Sequence, residues 1–242
     1  MTSLIRQPLA PSESNDFQTE LKFVAPAHRT QMALRMLARN CDPDEKYPIG
    51  VVSSIYYDTP NWDLLREKRD SDYLKSKIRL RWYEQTEAGE NCGDSSYAEA
   101  KYRVGSRRVK FRIPTNLSGR LLAGTRLDTS LLRQIPDQLA ARGAPVPQPI
   151  LPAFVVRYRR HRFVDRLTGT RICLDYDIRS PRTNPMMLAA PFPCRLPVSV
   201  LEVKGTDSTI PLFLRNLLKL GFRKESFSKY YECYGRLTRT FF

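Results

Sequence analysis

Residues 77–83 read KIRLRWY, with cation and apolar side chain in alternation from Lys77 to Trp82. In a strand, successive side chains leave opposite faces, so Lys77, Arg79 and Arg81 share one face and Ile78, Leu80 and Trp82 the other. The same pattern groups Glu99 with Lys101 and Arg103, Arg108 with Lys110 and Arg112, and Tyr158 with Arg160 and Arg162. It also groups Arg171 with Asp175, Glu202 with Lys204, and Glu20 with Lys22. Rows of this kind grip oxyanions, arginine bidentately and lysine as a mobile point charge. The carboxylates add a second chemistry, because a divalent metal held by them can bridge to a phosphate oxygen. A surface made for a nucleic-acid backbone would gain nothing from carboxylates aimed at phosphate.

No G-x-x-x-x-G-K-[ST] or G-x-G-x-x-G stretch occurs, so the phosphates of any bound nucleotide must be held by side-chain cations. No Ser-His-Asp or Cys-His set points to a covalent nucleophile. His161, between Arg160 and Arg162, reads as a packing or edge residue, since protonation there is unfavourable. The five cysteines, Cys41, Cys92, Cys173, Cys194 and Cys233, show no C-x-x-C spacing, which argues against both a zinc site and a disulfide framework.

Charged side chains at alternate positions must be placed by strands. Strand signals fall at 17–24, 51–59, 74–84, 96–104, 107–113, 154–164, 170–177 and 198–205. Helical patterns cover 26–40, 116–142, 209–220 and 226–239, the second with Leu121, Leu122, Leu131, Leu132, Ile135 and Leu139 as its buried stripe. Residues 1–16 have the composition of a flexible tail, leaving 17–242 as one α+β domain on a mostly antiparallel sheet. A solvated sheet face would show the same alternation strand by strand. A closed barrel, with charged sets facing a lumen and apolar sets under helices, accounts for all the strands at once.

The net charge of +15 over 242 residues suits a polyanionic partner. No signal-peptide core and no run of 18 apolar residues occurs, so the expectation is a cytoplasmic, reduced protein.

These residues resemble the VTC domain, the polyphosphate polymerase module of the triphosphate tunnel metalloenzymes. The resemblance rests on SIYYDT (54–59), KIRLRWY, the pair Glu99 and Lys101, VKFR (109–112), and Tyr158 with Arg160. RICLD (171–175), LEVKG (201–205) and FSKYY (227–231) complete it, in the family's order. It implies an eight-stranded antiparallel barrel, the tunnel, with flanking helices and a C-terminal helix near its mouth. It further implies transfer of the terminal phosphate of ATP to inorganic polyphosphate, with Mn²⁺ or Mg²⁺ and release of ADP. Lys22, Arg79, Arg81, Lys101, Lys110, Arg112, Arg160, Arg171 and Lys204 would bind phosphate, and Lys229 would join Arg79 and Arg81 in catalysis. Glu202 would be the principal metal ligand, with Glu20 and Glu99 as helpers. Two positions depart from the family: Gln18 and Ser226 stand where relatives carry charge, and Lys224 could substitute for the second. The alternatives are a metal-dependent triphosphatase and a non-catalytic polyphosphate-binding subunit. Specific nucleic-acid binding ranks last. A location at the inner face of a membrane, beside a membrane-protein partner, stays compatible with the sequence.

Overall fold

The computed structural model describes residues 19–70, 73–84, 95–105, 107–205 and 210–240. The tail expected over 1–16, Gln18 and Cys92 all lie outside the described residues.

The β-branched and alternating stretches form strands β1 (Thr19–Pro26), β2 (Cys41–Pro43), β3 (Ile49–Asp58), β4 (Leu74–Glu84), β5 (Ser96–Val104) and β6 (Arg107–Thr115). They continue as β7 (Leu151–Asp165), β8 (Arg171–Ser180), β9 (Cys194–Arg195), β10 (Val198–Gly205) and β11 (Arg223–Lys224). The helices are α1 (Thr30–Asn40), α2 (Asp63–Asp70), α3 (Gly119–Gly124), α4 (Ser130–Arg133), α5 (Ile135–Ala140), α6 (Leu214–Lys219) and α7 (Lys229–Thr238). All the strand pairs are antiparallel, in the order β11-β1-β10-β8-β7-β3-β4-β5-β6, with β2 on β7 and β9 on β8.

This corrects the expected closed eight-stranded barrel. The sheet has 11 strands and is open, ending at β6 on one side and β11 on the other. Alternation says which residues share a face, whereas closure depends on strand stagger. The sheet nevertheless curls, because Lys110 of β6 and Lys224 of β11 line one cavity. Register shifts at Tyr56/Tyr57 in β3 and at Arg157/Arg159 in β7 mark irregularities of the kind that bend sheets.

Helices cover the outside. Ile78, Leu80 and Trp82 of β4 pack under Leu122, Leu132, Ile135 and Leu139 of α3–α5. The predicted stripe is cut into three short helices, with Pro136 opening α5, so Leu121 and Leu131 turn outward. Ala33 and Leu37 of α1, with Leu214 and Leu217 of α6, cover Phe23, Ile172, Leu174, Leu201 and Val203. Removing the buried side chain of Leu80 (Leu80→Ala) is expected to cost about 2–5 kcal/mol in a urea unfolding measurement. A cost of a few tenths would contradict a helix-covered outer face.

One helix lies inside. Tyr230, Cys233 and Leu237 of α7 pack with Val52, Tyr56, Phe154, Val156 and Val200, and Tyr56 stands opposite Arg79 on the charged face. β3 is therefore buried on both faces, which removes its polar alternation. Buried Asp58 clamps α7 to α2: its carboxylate accepts from Leu64 N (2.9 Å), Leu65 N (3.1 Å) and the Tyr230 hydroxyl (2.7 Å).

Candidate active site

With α7 filling part of the curled sheet, the remaining interior is a cavity of about 790 Å³. Its walls carry Glu20, Lys22, Arg79, Arg81, Lys101 and Lys110, together with Arg160, Glu202, Lys204 and Lys229. Of the side chains named from sequence, Glu99 lies beneath this surface, while Arg112 and Arg171 are exposed beyond its lining. Four local groupings define its electrostatics.

The first joins β7, β8, β10 and α7. Arg160 donates from Nε to Asp175 Oδ1 (2.6 Å) and from Nη2 to Asp175 Oδ2 (2.7 Å) and Glu202 Oε2 (2.8 Å). Lys229 Nζ reaches Asp175 Oδ2 (2.5 Å) and Glu202 Oε1 (3.1 Å), and lies 4.8 Å from the centre of the Tyr158 ring. Asp175 is fully buried and Glu202 nearly so. Burial favours the neutral carboxyl, but Lys229 and Arg160 outweigh it and hold Glu202 well below the usual carboxylate range. Burial would likewise strip the proton from Lys229, and Asp175 and Glu202 reverse that, so its pKa is raised.

The second lies across β4, β5 and β6. Arg79 donates from Nε (2.8 Å) and Nη2 (2.6 Å) to Glu99 Oε2, and from Nη1 to the Tyr56 hydroxyl (3.3 Å). Arg81 and Arg112 approach the same carboxylate at 3.9 and 3.6 Å. Burial pushes Glu99 up, yet the charges of Arg79 and Arg81 bring it down to about 2. Glu99 thus orients Arg79 and draws Arg81 toward it, and both arginines line the cavity.

The third is a group of lysines. Lys101 is open to the cavity's water but walled in by protein; that burial, with the charge of Arg79, lowers its pKa to about 7 although Glu99 opposes the fall. Lys77 falls to about 7 through burial and the charges of Lys22, Arg79, Lys68 and Lys101. Lys110 is lowered by burial as well. Mutual repulsion in a confined space is relieved when an anion enters.

The fourth is the open carboxylate, Glu20, which pairs with Lys22 (3.3 Å) and Lys204 (3.7 Å) and keeps about a third of its side chain exposed. Glu20 faces Lys204, and Lys22 faces Glu202, on neighbouring antiparallel strands, so the two glutamates are diagonal neighbours. Among the described residues no three His, Cys, Asp or Glu side chains converge to hold a metal. Glu20 and Glu202 do fit the mode in which Mg²⁺-like ions take one or two carboxylates and complete their shell with phosphate and water.

Sequence reading left several side chains in or behind this wall without an assigned role. Lys77, Arg103 and Arg108 stand on the alternating face and were visible to the two-residue period. Asp175 shares its strand face with Arg171, but its convergence with Glu202 had no local signal. Lys68, on α2, had none at all. His161 packs as expected, its Nε2 3.1 Å from the Tyr176 hydroxyl and its ring stacked on Phe163.

No curated protein matches this sequence. Among solved structures, a candidate adenylate cyclase from Bacillus halodurans aligns with a TM-score of 0.48 and 13% identity, covering 86% of this chain and 92% of that one. A protein from Pyrococcus horikoshii aligns at 0.44 and 12%, covering 91% and 98%. A candidate adenylate cyclase from Vibrio parahaemolyticus aligns at 0.44 and 14%, covering 88% and 95%. The sequence model of the VTC domain matches residues 17–238, from the first strand to the end of α7. That span includes every strand and every wall of the cavity, and the chain belongs to the VTC domain family.

Proposed function

We propose that this protein is a polyphosphate polymerase that transfers the terminal phosphate of ATP to an inorganic polyphosphate chain and releases ADP. The observation that carries this reading is the convergence of Arg79, Arg81, Lys101, Lys110, Arg160 and Lys204 on one cavity that also holds Glu20 and Glu202. Phosphoryl transfer asks a protein for alignment and charge neutralisation more than for covalent chemistry. Arg79, fixed by Glu99, Arg81, bonded through Nε to the Ser54 hydroxyl (3.2 Å), and Arg160, fixed by Asp175, present donors to phosphate oxygens. Lys229, which shares the carboxylates of Glu202 and Asp175 on the cavity wall, would stabilise charge as it develops there. A terminal oxygen of the chain attacks the γ-phosphorus while the bond to the ADP oxygen breaks. The acceptor oxygen is already ionised, so the step needs no general base. Mn²⁺ or Mg²⁺ at Glu20 and Glu202 would neutralise charge on the transferred group. Among the described residues no helix is long and apolar enough to cross a membrane.

The test is to incubate the purified chain with ATP and Mn²⁺, resolve the products on a polyphosphate-staining gel and assay free phosphate in parallel. Long chains with matching ADP are expected. Free phosphate without chains would replace this reading with a triphosphatase.

A further inference from the structure

Just beyond Asp175, strand β8 departs from regular pairing. Arg157 of β7 faces Arg179 and Arg159 faces Tyr176, so Asp177 and Ile178 together oppose the single residue Tyr158. Asp177 takes a left-handed backbone (φ 49°), which side chains adopt rarely, aspartate and asparagine most readily. A bulge of this kind re-aims the side chains that follow it. Ile178 packs with α7 in the interior, and Arg179 emerges on the outer face. Pairing fixes that face: Arg179 stands opposite Arg157, Arg157 opposite Ser53, and Ser53 opposite the helix-covered Trp82.

The outer surface there is unbalanced. Arg157, Arg179 and Arg195 stand directly opposite one another on β7, β8 and β9, about 4.8 Å apart from strand to strand. Like charges in that arrangement destabilise a sheet. Glu84 answers Arg157, which donates to both of its oxygens, while the Ser53 hydroxyl takes a further position on one of them. Arg179 Nε is buried and has no acceptor among the described residues. Asp177 Oδ1 is buried and accepts no hydrogen bond among them; Arg195 Nη2 lies 3.0 Å away without the alignment to donate. Buried polar groups are ordinarily satisfied, so a donor and an acceptor left open around Arg195 call for a ligand offering both. Water offers both but brings no charge to set against the arginines.

We infer that Arg179, Arg195 and Asp177 form a site for inorganic orthophosphate on the outer face of the sheet. None of the three lines the cavity. Monohydrogen phosphate has oxygens for both guanidinium groups and one P–OH to donate to Asp177 Oδ1. Sulfate has the same shape and charge but no proton to give, and a carboxylate facing its oxygens repels it. Phosphate esters lose their second proton near pH 6, at about the values of phosphorylated side chains, so at pH 8 they also arrive without a donor. Two cations and one carboxylate thus select the free ion. This site is independent of the polymerase reading, because occupying it needs neither ATP nor a chain.

Equilibrium dialysis of the full chain against radiolabelled orthophosphate at pH 8, with EDTA and excess sulfate, tests it. Sulfate competes at sites made of cations alone, so the orthophosphate that resists it reports the outer site. One such ion per chain is expected, and glycerol phosphate, an ester, is expected not to displace it. Arg179→Gln/Arg195→Gln is expected to weaken this binding about tenfold or more, the scale of losing hydrogen bonds from charged groups. Asp177→Asn keeps the left-handed backbone and can donate to either anion, so sulfate is expected to compete in that variant. Because any basic protein attracts anions, Arg35→Gln/Arg39→Gln on the exposed side of α1 removes the same charge as a control and is expected to change binding less than about twofold. No sulfate-resistant binding, equal losses in the two arginine pairs, displacement by the ester, or sulfate resistance persisting in Asp177→Asn would overturn the site.

Discussion

Glu202→Ala is expected to lower the unfolding free energy by about 3–5 kcal/mol at neutral pH, the cost of removing one partner from a buried ion cluster. The substitution leaves Lys229 and Arg160 to share Asp175 inside the protein. The loss should depend on pH with a definite sign. The folded-state pKa of Glu202 is depressed, so its contribution is complete above the unfolded value of about 4.3. It is lost as pH falls through the lower folded value. The raised pKa of Lys229 bounds the window on the alkaline side, where the contribution is lost above about 10.4 as pH climbs through the folded value. Urea unfolding followed by tryptophan fluorescence at pH 7 and again near pH 3 would show a large gap between wild type and variant shrinking with acid. A gap that is small at pH 7, or unchanged with acid, would mean that the four charges are solvated and that the cluster organises nothing. Glu202→Gln keeps the shape and part of the hydrogen bonding, so it should recover some stability without restoring activity if the carboxylate charge serves the chemistry.

Arg79→Ala is expected to reduce chain synthesis by roughly 10²–10³, the scale of losing a preorganised donor at developing charge. Its stability cost should be smaller than that of Glu202→Ala, because Glu99 keeps Arg81 and Arg112 within 3.9 and 3.6 Å. With Arg79 gone, the pKa of Glu99 should rise from about 2, since its strongest charge partner is missing. Arg79→Lys separates charge from geometry. A lysine cannot donate from two positions to Glu99 while facing the cavity, so it should remain well below wild type. Turnover of ATP by Arg79→Ala at the wild-type rate would remove this residue from the site.

The sequence determined by itself which side chains share a face. Lys77, Arg79 and Arg81 fall on one side of β4 and Ile78, Leu80 and Trp82 on the other, because a strand's two-residue period is local backbone geometry. It also placed Glu202 beside Lys204 and Glu20 beside Lys22, and the order of these motifs was enough for the family resemblance. Where a helix presses from inside, the contrast between a wet and a dry face is absent: β3 is buried on both faces because α7 occupies the interior.

Only the tertiary structure decided the rest. That Glu99 stands between Arg79 and Arg112, while Lys77 and Lys101 meet with no acid between them, depends on register set by hydrogen bonds between distant segments. That Asp175, Glu202, Arg160 and Lys229 form one cluster requires three strands and a terminal helix to meet. That the sheet curls around its cavity yet stays open is a matter of stagger and of where β11, two residues long, attaches to β1. Side-chain direction is written residue by residue, whereas opposition and closure belong to pairs of segments far apart in the chain.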